Sequence, residues 1–432
     1  GQIVFCARFQ SYVSLKPKSQ IHAIDSLALP PVLEGQLANG IPYTFVAAPY
    51  PGPCKVELNF LAGRPQETVR LSAYAANSLL TERTTRYTGP QIAQRIDYYG
   101  ASLQPSASFD IGTLQLLGAE RHLDRLIPLL MHCVREAVFR EEDLQLFTES
   151  HIQDLNVDLE QTDAVSYRVL TALLFGEDHP YGYNSTETLY RELTTASLKE
   201  FYQNYYIRRA PHILIMGNDH KKILKRLEQH TLDWNFHAWE AEIPPSPKPM
   251  EAEIIQSVGG KSQTSLKIGR IWPGIHHPDH PGLLILNTLV GGYFGSRLVQ
   301  QIREKKGYTY NIYSSYDSYR YASFFYIGCE TSHRKVNLAK TRIRQEMDIL
   351  KQDLVPDSEL RMIKNYLAGQ LSSQLDNALM VSDWLRQSLS EGSDWRATSH
   401  LLEQLLSITP RDIQDLAQRY LDPGTLTTVI VG

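Results

Sequence analysis

Cysteine is scarce in this sequence. Its 432 residues include only four thiols, and no two of them form a CxxC pair. Cysteines so few and so scattered exclude a disulfide framework. We therefore expect small buried thiols at all four positions. These are Cys6, Cys54, Cys133 and Cys329.

Long apolar runs and an excess of charge of one sign are also missing. The longest apolar stretch, residues 282–295, is too short to span a bilayer and contains Asn287. The net charge of −4 gives no broad basic field, so nucleic-acid binding is not indicated. With 42% hydrophobic and 21% charged residues, the composition is that of a soluble globular protein. The length suggests two or three domains.

No secretion signal is recognisable at the start of the chain. The first ten residues, GQIVFCARFQ, contain no basic segment followed by a long apolar core and a cleavage site. The sequence begins without methionine, so a signal removed earlier would leave no trace. We expect a cytoplasmic protein, with a periplasmic location open if a signal was removed.

The two halves of the chain resemble each other in sequence. The segment LTTASLKEFYQNYYIRRAPHILIMG, which ends at Gly217, aligns without a gap with ITPRDIQDLAQRYLDPGTLTTVIVG, which ends at Gly432. In each copy a threonine, Thr194 or Thr409, precedes an amphipathic helix, and a β-rich strand follows. The sequence therefore indicates an internal duplication.

Each half also opens with the same series of elements. A strand is followed by an apolar helix, and then by an amphipathic helix that a glycine stops before the next strand. The matching pairs are 56–63 with 264–274, 71–80 with 282–290, and 91–104 with 297–310.

A segment rich in proline and charge, residues 238–253, separates the halves and is predicted to be a linker. The sequence thus predicts an α+β fold with two homologous domains, 1–237 and 254–432. Each domain is expected to hold a mainly antiparallel sheet covered by helices. A cleft between two such domains is a common place for a ligand site.

Recognisable metal and nucleophile motifs are absent from the sequence. It contains no HxxEH, HExxH or GxSxG pattern. The segment HHPDHPG contains His276, His277 and His280, but its two prolines predict a loop. Exposed imidazoles in a strand-to-helix connection are commoner than a metal site there.

A glycine-rich segment, GGYFG, follows the apolar helix of the second half. It lacks the lysine of a phosphate-binding loop and does not have the GxGxxG form. It predicts a tight turn that exposes backbone and can contact an extended peptide. The candidate substrate-binding residues are its glycines, Gly291, Gly292 and Gly295.

Arg303 and Tyr310 form a more specific pair. Arg303 stands at the end of a predicted helix and Tyr310 in the strand that follows. A phenol can donate a hydrogen bond to an oxyanion while a guanidinium fixes the substrate backbone. The same residue types also occur at solvated helix ends and in packed strands, so the pair alone does not define a site.

The segment around this pair, GGYFGSRLVQQIREKKGYTYNIYSSY, resembles the second-half signature of the insulinase and pitrilysin zinc metallopeptidase family, which includes mitochondrial processing peptidase. Three further segments resemble the family in the same order along the chain. They are GQLANGIPYTFVAA, IAQRIDYYGASL and LLFGEDHPYG. The resemblance covers nearly the whole chain after about residue 30.

The resemblance implies two sandwich-like α+β domains that form a clam shell around unfolded peptides. Members normally carry HxxEH in the first half: two histidines and a later glutamate bind zinc, and the motif's own glutamate is the general base. Here Tyr74 and Ser78 fall on the histidine positions, and Asn77 falls on the general-base position. The later ligand falls near Gln153 or Asp154.

Serine is a poor zinc ligand, and asparagine cannot take a proton from water. The first half therefore resembles a peptidase domain without its zinc centre, whereas Arg303 and Tyr310 match the family's arginine and tyrosine. This pattern is similar to the zinc-free subunit of two-subunit members, which closes the shell and supplies this pair to its partner. We expect no cofactor in this chain, zinc in the partner, and a heterodimer. A homodimer remains open for the chain alone.

Two alternatives remain open. The chain could be a self-sufficient zinc metallopeptidase whose ligands include His276, His277 or His280. It could also be a structural or assembly protein of the same fold. Such a role would not require Arg303 and Tyr310.

Elemental analysis of the purified chain tests the first alternative. We expect well below one zinc per chain, because the aligned positions lack the ligands that zinc requires. A zinc-bearing relative purified in the same way is the control. One tightly held zinc per chain would mean that other ligands exist, and the chain should then be assayed as a peptidase by itself.

Overall fold

The computed structural model describes residues 24, 26–237, 242–257 and 263–432. The strands of the first half are β1 (Val32–Gln36), β2 (Pro42–Ala47), β3 (Pro53–Phe60), β4 (Ser102–Ala107), β5 (Gly112–Ala119) and β6 (His212–Gly217). Its helices are α1 (Ser72–Ser78), α2 (Gly89–Tyr98), α3 (Leu123–Arg135), α4 (Glu141–Leu159), α5 (Thr162–Phe175), α6 (Glu187–Arg191), α7 (Thr195–Tyr202) and α8 (His220–Thr231).

The second half has a similar mixture of strands and helices. Its strands are β7 (Glu253–Gln256), β8 (Gln263–Trp272), β9 (Thr309–Ser318), β10 (Ser323–Ser332) and β11 (Thr427–Val431). Its helices are α9 (His280–Asn287), α10 (Val336–Gln352), α11 (Asp357–Ser373), α12 (Ala378–Glu391), α13 (Ala397–Ser407) and α14 (Pro410–Tyr420). Across the described ranges, no helix is long and apolar enough to cross a membrane.

Each half builds one sheet. The strand order is β1-β2-β6-β3-β5-β4 in the first half and β7-β11-β8-β10-β9 in the second. Neighbouring strands are antiparallel except for β2 with β6 and β7 with β11. The predicted α+β class with two sheet-and-helix halves is confirmed. The domain limits stay a prediction, and residue 253, the last of the predicted linker, already opens β7.

The two matching segments of the duplication fold alike. Thr194 caps α7 and Thr409 caps α14, because each hydroxyl accepts a hydrogen bond from the backbone N–H three residues later. The strand that follows, β6 or β11, lies beside the matching strand of its own sheet, β3 or β8. The capped helix and strand predicted in each copy are therefore present.

The histidine-rich segment is only partly a loop. Residues 273–279 connect β8 to α9, but His280, Pro281 and Gly282 form the first turn of α9. The prediction of a loop over 276–282 is wrong for these three residues. Proline is compatible with the first turn of a helix, because the N–H that it lacks has no helical partner there.

Three of the four thiols are buried, as predicted. Burial raises the pKa of Cys54 and of Cys133 to about 12, and that of Cys329 to about 11. A thiol with so high a pKa is unreactive at neutral pH. Cys6 lies outside the described residues.

Each sheet is covered on one face by a helix from the other half. α5 packs on β8 and β11 of the second sheet, and α12 packs on β2 and β6 of the first. The first contact buries Val165, Leu170, Leu174, Phe175, Tyr181, Phe324, Tyr326, Val429 and Val431. The second buries Val46, Leu214, Met216, Val381, Trp384 and Leu385. The halves therefore complete each other's cores.

Buried charges are paired across the same two contacts. Lys267 on β8 is fully buried, and its Nζ lies 2.5 Å from Oδ1 of Asp163 on α5. On the other sheet, the fully buried Glu57 of β3 lies 2.8 Å from Nζ of Lys55 and 3.1 Å from Nη1 of Arg386 on α12. A buried charge is tolerated only when it is paired, so these contacts tie each sheet to the incoming helix.

Replacing Asp163 with alanine should destabilise the protein. The Lys267 ammonium would remain buried without its carboxylate, at an expected cost of about 1–3 kcal/mol in the free energy of unfolding, measured by urea denaturation. The control is Asp178→Ala, which removes the partner of Arg70 from a surface ion pair in which Asp178 is fully exposed and should leave stability unchanged. Lys267→Met combined with Asp163→Ala should recover most of the loss. Equal stability of Asp163→Ala and the unaltered chain would contradict this account.

Candidate functional site

α1 places the two aligned histidine positions at the surface. Tyr74 is 38% exposed, and its hydroxyl lies 3.0 Å from Nε2 of His151 on α4. Nδ1 of His151 lies 2.7 Å from the carbonyl oxygen of Phe147. Because a carbonyl only accepts, Nδ1 carries the proton and Nε2 accepts from Tyr74. Ser78 Oγ donates to the carbonyl oxygen of Tyr74 at 2.8 Å.

Asn77, on the aligned general-base position, points into the core of the first half. Its side chain is buried, and its Nδ2 donates to the Tyr206 hydroxyl at 3.0 Å and to the carbonyl oxygen of Thr113 at 3.3 Å. Its Oδ1 has no hydrogen-bond partner among the described residues. Asn77 therefore links α1 to β5 and to the turn that follows α7.

These side chains do not fit a zinc centre. Burial raises the pKa of the Tyr74 phenol, and the nearby Asp154 carboxylate adds to the shift, so the phenol is neutral and already bonded to His151. Ser78 uses its proton within the helix. Within the part of the chain that the structure describes, no group of three His, Cys, Asp or Glu side chains could hold a metal ion. The zinc content of the chain stays a prediction.

Two of the three histidines of the HHPDHPG segment make hydrogen bonds of their own. Nδ1 of His280 lies 3.1 Å from the Tyr316 hydroxyl, and burial, with His276 nearby, lowers the pKa of His280 to about 4. Nδ1 of His277 accepts a hydrogen bond from the backbone N–H of Asp279 at 3.1 Å. These contacts give no support to the alternative in which the three histidines bind zinc.

Packing requires glycine at one of the candidate positions, Gly291. A Cβ on Gly291 would lie 2.4 Å from the backbone nitrogen of Ser314, so only glycine lets this turn approach β9. A Cβ on Gly295 would lie 2.6 Å from the ring of Tyr293, and Gly292 lies against Asn287. Substrate binding by these glycines stays a prediction.

Arg303 lies in a π-helical turn, Val299–Glu304, a geometry that is frequent at functional sites. Its side chain is 40% exposed, and its Nε lies 3.5 Å from Oε1 of Glu304. Its Cζ lies 5.5 Å from the centre of the Phe294 ring. The neighbouring Arg297, in contrast, is held by both carboxylate oxygens of Glu359 at 3.0 and 2.8 Å.

Tyr310 lies at the start of the edge strand β9. Gly307 adopts a positive φ of 57° and ends the turn that carries Arg303, so that β9 begins at Thr309. Tyr310 is 91% exposed. Among the described residues, none is within hydrogen-bonding distance of its hydroxyl, whereas Tyr316 on the same strand donates to the carbonyl oxygen of Pro273. The turn thus presents both predicted residues to solvent.

The sequence did not predict two residues that contact the candidate site residues, His151 beside Tyr74 and Phe294 beside Arg303. His151 stands one helical turn before Asp154, a predicted ligand position, and this spacing could have indicated that His151 lies on the same helix face. Phe294 lies inside the GGYFG segment, but its contact with Arg303 depends on the turn and has no sequence signal.

Comparison with known proteins supports the family resemblance. Residues 192–367, which include Arg303 and Tyr310, match the family described as "Peptidase M16 inactive domain". The chain is 23% identical to the "Uncharacterized zinc protease YmxG" of Bacillus subtilis over 68% of this chain and 72% of that protein. It is 21% identical to an "Uncharacterized zinc protease" of Rickettsia felis over 91% of this chain and 96% of that protein.

Solved structures show the same fold. The peptidase M16 inactive domain from Pseudomonas fluorescens matches with a TM-score of 0.82 and 22% identity, covering 93% of this chain and 98% of that chain. A protease from Helicobacter pylori matches with a TM-score of 0.84 and 18% identity, covering 94% and 100%. The predicted resemblance is confirmed: residues 192–367 match the inactive domain of the M16 peptidases, and the chain has the fold of a solved M16 inactive domain.

Proposed function

We propose that this chain is the zinc-free subunit of a heteromeric M16 peptidase. It closes the chamber that holds an unfolded peptide and supplies Arg303 and Tyr310 to the active site of a zinc-bearing partner. The observation that carries the proposal is the 91% exposure of Tyr310, a large side chain that the fold of this chain does not use.

Residues near Tyr310 and Arg303 in the sequence make structural contacts that these two residues do not make. Tyr308 packs against the core of the second half, and Arg297 is held by Glu359. Arg303 and Tyr310 have no comparable structural contact within the described ranges, although both stand beside residues that do. A surface that serves only assembly does not need an exposed guanidinium and an exposed phenol at the two ends of one turn.

The chemistry of the two groups suits peptide hydrolysis. A zinc ion in the partner would supply activated water. The Tyr310 phenol can donate a hydrogen bond to the oxyanion that forms when the peptide carbonyl is attacked. The Arg303 guanidinium can hold a carbonyl of the peptide backbone through its N–H groups. The first half of this chain would act as a wall of the chamber, because Tyr74, Asn77 and Ser78 do not fit zinc.

Reconstitution with the zinc-bearing M16 subunit of the same organism tests the proposal. The complex should hydrolyse a quenched fluorescent peptide, and Tyr310→Phe should lower kcat about 100-fold, because one oxyanion donor is removed. Arg303→Ala should also lower the activity. Both variants should still co-elute with the partner in size-exclusion chromatography.

Tyr308→Phe is the matched control, because it removes a phenol hydroxyl two residues away from a packed side chain. It should leave the activity of the complex unchanged. The proposal fails if Tyr310→Phe is as active as the unaltered complex, or if the zinc-bearing subunit alone is as active as the complex.

A further inference from the structure

We propose that Phe294 is a positioning residue for Arg303, an inference that rests on the proposed function. Phe294 is 66% exposed, and its ring centre lies 5.5 Å from Cζ of Arg303. A guanidinium within about 6 Å of an aromatic ring is attracted to the face of that ring. The ring therefore defines where the Arg303 side chain lies.

The GGYFG turn is built to present this ring. The Tyr293 ring packs against Tyr366 of α11 with ring centres 5.2 Å apart and planes tilted by 35°, and Gly295 lies directly against the Tyr293 ring. Gly291 brings the start of the turn onto β9. One aromatic residue of the turn is thus anchored, and the next one, Phe294, is left at the surface beside Arg303.

A ring contact suits a guanidinium that must also bind a carbonyl. A guanidinium that stacks on a ring through its face keeps the N–H groups at its edge available to donate. The competing contact of Arg303 is with Glu304, whose Oε1 lies 3.5 Å from Nε. The side chains of Arg303 and Glu304 are 40% and 46% exposed. Such an exposed ion pair contributes little and fixes no geometry. Without the ring, only this weak contact with Glu304 would remain to orient the guanidinium.

The contact itself can be tested without a partner subunit. In the chain labelled with 15N-arginine, the Arg303 side-chain NMR signal is assigned by its loss in Arg303→Lys. Phe294→Leu keeps an apolar side chain but removes the ring, so the Arg303 Hε signal should shift. Phe294→Trp should keep a ring-shifted signal, and Tyr98→Leu, which removes an exposed ring in the first half, should not move it.

The effect on the reaction is tested in the reconstituted complex. Phe294→Leu should lower kcat/KM about two- to fivefold, the range expected for an exposed cation–π contact. Phe294→Trp should retain the activity. In the Arg303→Ala background, which has no cation beside the ring, Phe294→Leu should cause no further loss, because Phe294 acts only through Arg303.

The two experiments separate the possible failures. An Arg303 signal that is unchanged in Phe294→Leu would overturn this inference and leave the proposed function standing. A shifted signal in a complex whose activity does not depend on Arg303 would overturn the proposed function and the catalytic part of this inference with it. A loss of activity in Phe294→Leu that is equally large in the Arg303→Ala background would show that Phe294 acts by another route and would also overturn it.

Discussion

Alternate residues of the strands that end each repeat pack in opposite directions. In β6, Ile213 and Ile215 belong to the core of the first half, whereas Leu214 and Met216 contact α12 of the second half. In β11, the residues on one face contact α5 in the same way. A strand that is apolar on both faces is stable only when both faces are covered. Each sheet therefore depends on a helix from the other half, and the two halves form one structural unit.

Buried ion pairs join each sheet to the helix that covers it. Glu57 and Lys267 occupy equivalent positions, because each pairs with the matching residue of the strand that ends its repeat. The equivalent position is acidic in one sheet and basic in the other, and each charge meets its opposite on the incoming helix, Arg386 or Asp163. Lys55, beside Glu57, also pairs with Asp383 of α12 at 2.8 Å. The first sheet therefore meets two opposite charges on its helix and the second sheet meets one, so each helix matches the charges of the sheet that it covers.

The sequence predicted the local features well. It did not predict the contacts in which a helix of one half packs on the sheet of the other half. The caps at Thr194 and Thr409 and the glycine stop at Gly307 follow from short-range chemistry, which is readable in a few neighbouring residues. The exchange of α5 and α12 joins residues far apart in the sequence, from 99 positions between Ser166 and Ser265 to 329 between Glu57 and Arg386, and leaves no local pattern. The prediction of a loop at the first turn of α9 is wrong because prolines mark both loops and helix starts. At the candidate site, the family resemblance selected Tyr74, Asn77 and Ser78, but the contact of Tyr74 with His151 required the packing of α1 on α4.

The positions aligned with the zinc site and the pair Arg303 and Tyr310 have different structural roles. This difference supports the proposal that the chain supplies the pair to a zinc-bearing partner. Asn77 now holds Tyr206 and the Thr113 carbonyl inside the core, so its position has become part of the packing of the first half. Tyr310 has no such role, and 91% of its surface faces water. Among the described residues, no contact requires a tyrosine at this position. A phenol that donates a proton to the partner's active site, as proposed, would explain why a tyrosine is there. The same reasoning applies to Arg303, whose guanidinium has only a weak ion pair and one aromatic ring beside it.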